Sequence, residues 1–333
     1  MRKVLIYITI ALLNGCTLIT EPKTAIDYNS KTVLHDTINL MKANYPFILF
    51  KHINVDSIYS YYSSNISKYN GDEIYRLLYE ILYGLKDAHI WFYNASGNRI
   101  QPYTDPRGVK DQYSFSLNIV EQYLKGNFKS IQGGKFVYGI INRKIGYIYI
   151  QTFNNDNSGW YKSFSNIINK MKTTQGMILD VRSNEGGSMS IANYILSFFI
   201  DKPFLSSIWL DANQNELPRF SIQPAQNYYS KPVILLQNGV SFSSAEGFIC
   251  MMRELPNVTT LGDTTGGGGG SPKEFKISYN IIINLPTAAL LTYQRKFVEW
   301  NGIEPDILLQ QTKTELENGK DPQLEKAISI LER

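Results

Sequence analysis

Hydrophobic positions change their spacing along the chain, and each spacing predicts a different kind of element. From Thr32 to Leu85 apolar residues recur every three or four positions, for example at Ile74, Leu77, Leu78 and Ile81, as on one buried helix face. Short apolar runs bounded by turn residues follow later and are typical of buried strands. These runs are Ile145–Ile150, Met177–Val181 and Val233–Leu236.

Two of these predicted strands lead into helical patterns, at Met189–Phe199 and Ser244–Leu255. Alternating strands and helices predict an α/β fold with a largely parallel sheet, because a parallel strand needs a crossover to return to the same edge. The run Glu274–Tyr293 instead predicts adjacent antiparallel strands around Asn284-Leu285-Pro286, and Pro322–Leu331 predicts a short amphipathic final helix.

These patterns divide the chain into five parts. We expect a signal peptide in residues 1–15, a lipidated tether in 16–30, a helical N-terminal segment in 31–92 and the α/β core in 141–333. Residues 93–140 are interrupted by Pro, Gly, Asn and Gln and predict irregular structure or a small β insertion.

The N-terminus has the pattern of an export signal. Met1-Arg2-Lys3 precedes the apolar run Val4–Leu13, which is followed by Asn14-Gly15-Cys16. An apolar run of about ten residues is too short to cross a hydrocarbon layer of about 30 Å. Leu13-Asn14-Gly15-Cys16 also resembles a bacterial lipobox, so we expect a diacylglycerol on Cys16. The alternative is an ordinary signal peptide with an incidental cysteine.

Composition narrows the classes of protein that remain. With 333 residues, 43% of them hydrophobic, the chain can bury a large core without staples. Besides Cys16 it has only Cys250, so acylation of Cys16 leaves no disulfide. Its net charge of +4 argues against a nucleic-acid partner.

A serine-rich turn stands between a predicted strand and a predicted helix, in Asn238-Gly239-Val240-Ser241-Phe242-Ser243-Ser244-Ala245-Glu246. A serine at such a corner lies at a helix N-terminus, where free N–H groups and the helix dipole favour negative charge on an oxygen. On local grounds Ser241, Ser243 and Ser244 are also good helix caps. Capping and a nucleophilic role therefore both remain open for these serines.

The loop Asp180-Val181-Arg182-Ser183-Asn184-Glu185-Gly186-Gly187-Ser188 also follows a strand and opens a helix. Paired glycines allow positive φ and unobstructed backbone donors, which suits the binding of an oxyanion or a phosphate. The loop lacks the Gly-x-x-x-x-Gly-Lys and Gly-x-Gly-x-x-Gly patterns of nucleotide-binding loops. An oxyanion hole is the sharper hypothesis, and a simple turn is the alternative.

The chain has three histidines, His35, His52 and His89, none at a His-x-x-x-His spacing. We therefore expect no metal site and no cofactor. A lone histidine is more often structural than catalytic. His89, in Leu85-Lys86-Asp87-Ala88-His89, becomes a candidate base because a serine nucleophile must give its proton to a group of near-neutral pKa.

Taken in order, these segments resemble the tail-specific or C-terminal-processing protease family, peptidase family S41, and more closely its tricorn-like branch. The resemblance implies an α/β, ClpP/crotonase-like layered core with a mostly parallel sheet, preceded here by a helical N-terminal segment. The motifs that carry it are Leu85–His89, Ile145-Gly146-Tyr147-Ile148, Asp180–Ser188, Phe242–Glu246, Leu261–Gly267 and Glu299–Ile307.

The resemblance also implies roles for particular residues. The family's nucleophile lies three residues before a glutamate, which selects Ser243. One branch uses a lysine after the nucleophile, but Gly268 stands where that lysine would fall, so the branch that uses a histidine fits better and His89 is its base. A further serine often precedes that histidine, and Ala88 stands here in its place.

By the same resemblance, Glu299 is the acidic group that supports the imidazole. The backbone N–H groups of Gly187 and Ser244, with Gly186, would hold the oxyanion of a tetrahedral intermediate. The implied activity is that of a serine-type peptidase that cleaves peptides or unfolded proteins through an acyl-enzyme on Ser243.

The principal alternative is a noncatalytic ligand- or peptide-binding protein that keeps the protease fold. A crotonase-like acyl-CoA enzyme would not explain the serine motif. A complete PDZ domain needs about twice the room of residues 93–140, so we expect none. We expect the protein in the bacterial cell envelope, attached to a membrane through the lipid on Cys16, with a periplasmic or extracellular body. The sequence leaves the oligomeric state open.

Overall fold

The computed structural model describes residues 28–111, 113–131, 134–154 and 159–333. The predicted signal peptide, Cys16 and nearly all of the predicted tether lie outside the described residues. No helix in these described ranges is long and apolar enough to cross a membrane. The helices are α1 Ser30–Asn44, α2 Val55–Ser64, α3 Ile74–Tyr83, α4 Pro106–Asp111, α5 Leu117–Leu124, α6 Phe164–Met171, α7 Met189–Leu196, α8 Ser244–Arg253, α9 Lys313–Glu317 and α10 Pro322–Leu331.

The strands alternate with these helices through most of the chain. They are β1 Trp91–Tyr93, β2 Arg99–Ile100, β3 Phe128–Ile131, β4 Phe136–Ile141, β5 Ile145–Ile150, β6 Gly176–Asp180, β7 Phe204–Leu205, β8 Ile208–Leu210, β9 Ser221–Ile222, β10 Val233–Gln237, β11 Val258–Gly262, β12 Gly270–Lys276, β13 Ile282–Leu291 and β14 Ile307–Leu308.

The main sheet runs in the order β14-β11-β10-β6-β5-β4-β3. Its strands from β14 to β5 are parallel, and β4 and β3 continue it antiparallel. Successive strand residues face opposite cores: Met177 and Leu179 pack with α6, α7 and α8, whereas Ile178 packs with α5 and α10. The predicted α/β layered fold with a mostly parallel sheet is confirmed.

Residues 93–140, predicted as irregular structure or a small β insertion, contain both helices and strands. They contain β2, α4, α5, β3 and β4, and the last two strands belong to the main sheet. The boundary predicted at residue 141 falls at the end of β4, where Ile141 pairs with Ile145 of β5. The core sheet therefore begins before that boundary, because a hairpin edge adds to the sheet without needing a crossover.

A second sheet in the order β12-β13-β1-β2, with β8 also paired to β13, carries the N-terminal helices. Apolar residues of α1 and α3, including Leu34, Leu77 and Leu78, share a core with Ile283 and Leu285 of β13. This contact attaches the helical N-terminal segment to the part of the chain that follows the serine turn.

The antiparallel pair predicted in Glu274–Tyr293 exists, but its turn was predicted in the wrong place. Asn284-Leu285-Pro286 lies inside β13, and the chain turns at residues 277–281, where Tyr279 and Asn280 have φ near +60°. Pro286 is tolerated in the strand because it pairs with Pro272, beside the register shift between Ser271 and Pro272.

Arg182 joins the end of β6 to the last helix through buried ion pairs. Its guanidinium lies 2.7 Å from Asp180 and 2.9 Å from Asp321, and all three side chains are fully buried. Asp321 also caps α10 by accepting the N–H of Leu324. These ion pairs hold the start of the loop that follows β6 against the N-terminus of α10.

We predict that Arg182→Met lowers the free energy of unfolding by about 3–5 kcal/mol, because it leaves two buried carboxylates without their cation. Denaturant unfolding of the purified protein measures this change. The control is Lys42→Met, which removes the exposed ion pair with Asp56 and should cost less than about 1 kcal/mol. Equal effects of the two substitutions would contradict the prediction.

Candidate active site

Ser243 lies at a sharp turn between β10 and α8. Its φ of 57° and ψ of −122° are unusual for a residue other than glycine. The neighbouring serines are engaged elsewhere: Ser241 is buried and donates to the carbonyl of Val181 at 2.8 Å, and Ser244 Oγ donates to the carbonyl of Gly187 at 2.7 Å. Of the three serines, Ser243 occupies the strained position of the turn.

The double-glycine loop lies directly beneath this turn, because β6 and β10 are parallel neighbours and their carboxyl ends meet at one edge. A Cβ atom on Gly186 would lie 2.8 Å from Cβ of Ser243 and 2.9 Å from the nitrogen of Ser244. Both glycines have positive φ, 94° for Gly186 and 133° for Gly187. Glycine is therefore required here by contact as well as by conformation.

The predicted oxyanion donors are not equivalent in the structure. The N–H of Gly186 already donates to Oδ1 of Asn184 at 2.8 Å. Within the described parts of the chain, the N–H groups of Gly187 and Ser244 have no protein acceptor. Gly186 thus acts as a spacer, and Gly187 and Ser244 are the donors open to a ligand oxygen.

His89 lies in the turn just before β1, with its ring against the serine turn. The imidazole stacks on Phe242, with ring centroids 4.6 Å apart. Asp87 accepts the backbone N–H of His89 at 2.8 Å, and Asn284 donates to its carbonyl at 2.8 Å. Neither ring nitrogen has a hydrogen-bond partner among the described residues. The backbone of His89 is thus fixed, and both ring nitrogens are buried and make no hydrogen bond to Ser243 Oγ or to another described atom.

The electrostatic surroundings favour a neutral imidazole. Burial lowers the pKa of His89 below its usual 6.5, the Asp87 carboxylate opposes this shift, and the Lys51 ammonium adds to it. A neutral histidine at pH 7 can accept a proton.

Glu299 is close to His89 but is not bonded to it. Single ligand atoms of Asp87, His89 and Glu299 lie within 4.8 Å of one another, and Nδ1 of His89 is 4.0 Å from Oδ1 of Asp87. The hydrogen bonds of Glu299 go to Lys51 Nζ at 2.6 Å and to the N–H of Gly269 at 3.1 Å. Direct support of the imidazole by Glu299 is absent from this arrangement, and Asp87 is a second acidic neighbour.

These three side chains offer atoms that could bind a metal ion, but their surroundings disfavour one. Lys51 Nζ lies 2.6 Å from Glu299 and 3.9 Å from Asp87, so a positive charge already stands where a dication would bind. Asp87 also accepts hydrogen bonds from Tyr45 and from its own turn. The donor set fits proton transfer better than metal binding.

Glu246 holds the serine turn to a second glycine-rich loop. Its buried carboxylate accepts the N–H groups of Ser243, Gly267 and Gly268 at 3.0, 2.8 and 2.7 Å, together with the hydroxyl of Thr265. Burial raises the pKa of Glu246 to about 7, against the effect of these hydrogen bonds. This residue fixes the nucleophile turn from inside the protein.

Gly268 occupies the position where other family members would place a lysine, and the structure has no room there for a side chain. A Cβ atom on Gly268 would lie 2.2 Å from the ring of Phe242. Phe242 also stacks on His89. The same aromatic ring therefore contacts the histidine and fills the space that a side chain at position 268 would need.

A cleft of about 900 Å³ opens over these groups. Ser243, His89, Gly187 and Ser244 all line it, so the structure brings the predicted serine, base and open donors to one surface. Its remaining wall includes apolar side chains of Trp91, Met189, Trp209, Phe242 and Pro272, and the charged groups of Arg99 and Glu185.

The protein is thus an α/β protein with a serine, a buried histidine and open backbone donors in one cleft. Comparison with known proteins identifies a family of serine peptidases. The sequence profile of peptidase family S41 matches residues 144–309, and the chain belongs to this family. It is 26% identical to the carboxy-terminal processing protease CtpB of Bacillus subtilis over 249 residues, which cover 72% of this chain and 48% of that protein.

Two further relatives extend the comparison. The tricorn protease of Thermoplasma volcanium is 26% identical over 59% of this chain and 18% of its own length. The chain thus spans less than half the length of these curated relatives. Among solved structures, the chain is similar to a protein described as a putative peptidase from Parabacteroides merdae. The two are 26% identical in sequence and superpose with a TM-score of 0.78, over 92% of this chain and 97% of that one.

Sequence reasoning missed three residues that the structure brings to the site. Asp87 lies in the motif Leu85–His89 but no role was predicted for it, and Glu246 was used only to identify Ser243. No local sequence pattern indicated a role for Lys51, because 248 residues separate it from Glu299. Asp87 and Glu246 both lie inside motifs assigned to the site, Leu85–His89 and Phe242–Glu246. Their position in these motifs was the signal that could have identified them.

We predict that Glu246→Gln lowers the free energy of unfolding at pH 8 by about 2–3 kcal/mol, because the new NH₂ group would face backbone N–H donors. Thermal and denaturant unfolding measure this. Glu254→Gln, at the exposed end of the same helix, is the matched control and should change stability by about 0.5 kcal/mol or less. A Glu246→Gln variant as stable as that control would refute the role of Glu246.

Proposed function

We propose that this protein is a serine-type peptidase that cleaves peptides or unfolded proteins, with Ser243 as nucleophile and His89 as general base. One observation carries the proposal. A serine on a strained turn shares a cleft with a buried histidine whose two ring nitrogens have no partner among the described residues, and with the open N–H groups of Gly187 and Ser244. Membership of family S41 supports the same reaction class.

In this mechanism His89 accepts the proton of Ser243 Oγ while that oxygen attacks a peptide carbonyl carbon. The carbonyl oxygen becomes an oxyanion that accepts hydrogen bonds from Gly187 and Ser244, each worth about 3–4 kcal/mol in serine proteases. The C–N bond then breaks, and His89 protonates the departing amine. Water, deprotonated by His89, finally hydrolyses the ester on Ser243.

The cleft supports extended polypeptide as the substrate class. Its volume of about 900 Å³ and its aromatic walls fit several side chains of a peptide, and β12 borders it with Gly270, Ser271 and Pro272. No observation in the described cleft favours the noncatalytic binding protein, which becomes the negative outcome of the test.

The proposal predicts that purified residues 17–333 hydrolyse an unfolded protein such as reduced casein. Ser243→Ala and His89→Ala should each lower kcat/KM by at least about 10³-fold, since nucleophile and base act as a unit. Release of amino groups and mass spectrometry of the fragments measure the reaction. Ser241→Ala is a matched serine control, because its hydroxyl is buried and bonded to the carbonyl of Val181.

Retained hydrolysis in the folded Ser243→Ala variant would reject the assigned nucleophile. Absence of hydrolysis by the parent protein on a broad peptide panel would favour the binding-protein alternative.

We further propose that the protein is anchored to a membrane of the bacterial cell envelope by a diacylglycerol on Cys16, with its folded body periplasmic or extracellular. The proposal rests on the basic, apolar and Asn14-Gly15-Cys16 segments of the N-terminus. The first described helix is α1, from Ser30. We propose that the residues between Cys16 and this helix tether the lipid to the folded body.

A bacterial culture expressing the full chain and fed an alkyne-bearing fatty acid tests this anchor. We expect the parent protein to carry the label, the Cys16→Ser variant to lack it, and the Cys250→Ser control to keep it, because Cys250 is buried in α8. Label that persists in Cys16→Ser, or a parent that is never labelled, would contradict the proposal.

A further inference from the structure

Lys51 is a fully buried lysine that belongs to the N-terminal helical part and lies behind the candidate active site. Its ammonium donates to Oε1 of Glu299 at 2.6 Å, to the hydroxyl of Tyr45 at 3.0 Å and to the carbonyl of Leu85 at 3.0 Å. It also lies 4.7 Å from the centre of the Trp300 ring. A buried ammonium is costly unless it is paired and hydrogen-bonded, and this one has both kinds of partner.

The partners of Lys51 connect it to His89 through two carboxylates. Lys51 Nζ is 2.6 Å from Glu299 and 3.9 Å from Asp87, and Asp87 is 4.0 Å from Nδ1 of His89. Burial and the neighbouring Asp87 raise the pKa of Glu299, and the ammonium of Lys51 opposes that rise. Without the ammonium of Lys51, the neighbouring Asp87 would raise the pKa of the imidazole, because nothing would oppose its effect except burial.

We propose that Lys51 is a positioning residue of the active site, whose buried ammonium holds the Asp87 and Glu299 side chains beside His89 and disfavours a second positive charge on the imidazole. This inference rests on the proposed peptidase function. Lys51, Asp87, Glu299 and His89 together form one buried array of ionisable side chains.

Other titratable groups face this array from neighbouring elements. Those around Lys51 and His89 are Asp87, Glu299 and Tyr45, while Glu246 from the serine turn and Tyr103 interact with Glu299. Tyr45 donates its hydroxyl to Asp87, and burial raises its pKa further above the usual 10, so it stays neutral. Lys51 is therefore the cation of the described array.

The decisive experiment compares the parent with Lys51→Met, which keeps the length of the side chain and removes its charge. We expect the pKa of His89, followed by NMR and assigned with His89→Ala, to lie below 6.5 in the parent and to rise by about one unit in the variant. The acidic limb of the pH profile of kcat/KM should move upward by the same amount. A purely structural role would lower activity or stability without moving either titration.

The double variant Lys51→Met/Glu299→Gln removes the ammonium together with the acidic side chain that lies nearest to it. It should fold more stably than Lys51→Met alone and return the pKa of His89 to within about half a unit of the parent value. Lys42→Met, in an exposed ion pair, is the matched lysine control and should leave the pKa of His89 unchanged.

An unchanged pKa of His89 in folded Lys51→Met would overturn the inference. If that variant does not fold, a double variant that is no more stable would overturn it equally. Because the NMR titration needs no turnover, it also decides the role of Lys51 should the parent hydrolyse no substrate, an outcome that counts against the peptidase function alone.

Discussion

The close approach of two loops at the carboxyl ends of β6 and β10 is the constraint on which the candidate site depends. Parallel pairing of these strands places Gly186 so near Ser243 that no Cβ atom fits between them. Hydrogen bonds also join the loops, among them those from Phe242 N–H to the carbonyl of Asn184 and from Ser244 Oγ to the carbonyl of Gly187. The spacing between the serine and the open backbone donors is thus set by the fold before any substrate binds.

Three buried charged side chains keep this arrangement in place from different directions. Arg182 secures the base of the double-glycine loop against α10, and Glu246 secures the serine turn against residues 265–268. Lys51 lies behind the histidine and its two acids. Each of these groups would be costly in the core if it lost its partners, so each favours the one packing in which its partners are present.

The serine turn illustrates how far local reasoning reaches. Any of its three serines could cap a helix, and the family resemblance was needed to select Ser243. The structure supplies a physical distinction, since Ser241 and Ser244 are bonded to neighbouring carbonyls and Ser243 has the strained backbone. The same loops differ from the prediction in one respect. Gly186 was a predicted oxyanion donor, but its N–H donates a hydrogen bond to the side chain of Asn184, two residues earlier.

The sequence by itself determined the kinds of element, the parallel sheet, and the two loops that follow β6 and β10. These features depend on local periodicity, turn chemistry and the rule that parallel strands end at a common edge. Only the tertiary structure decided that β3 and β4 extend the main sheet, that Asp87 stands beside His89, and that Lys51 meets Glu299 across 248 residues. Such contacts arise where separate surfaces pack together, and no local pattern in the chain records which surfaces will meet.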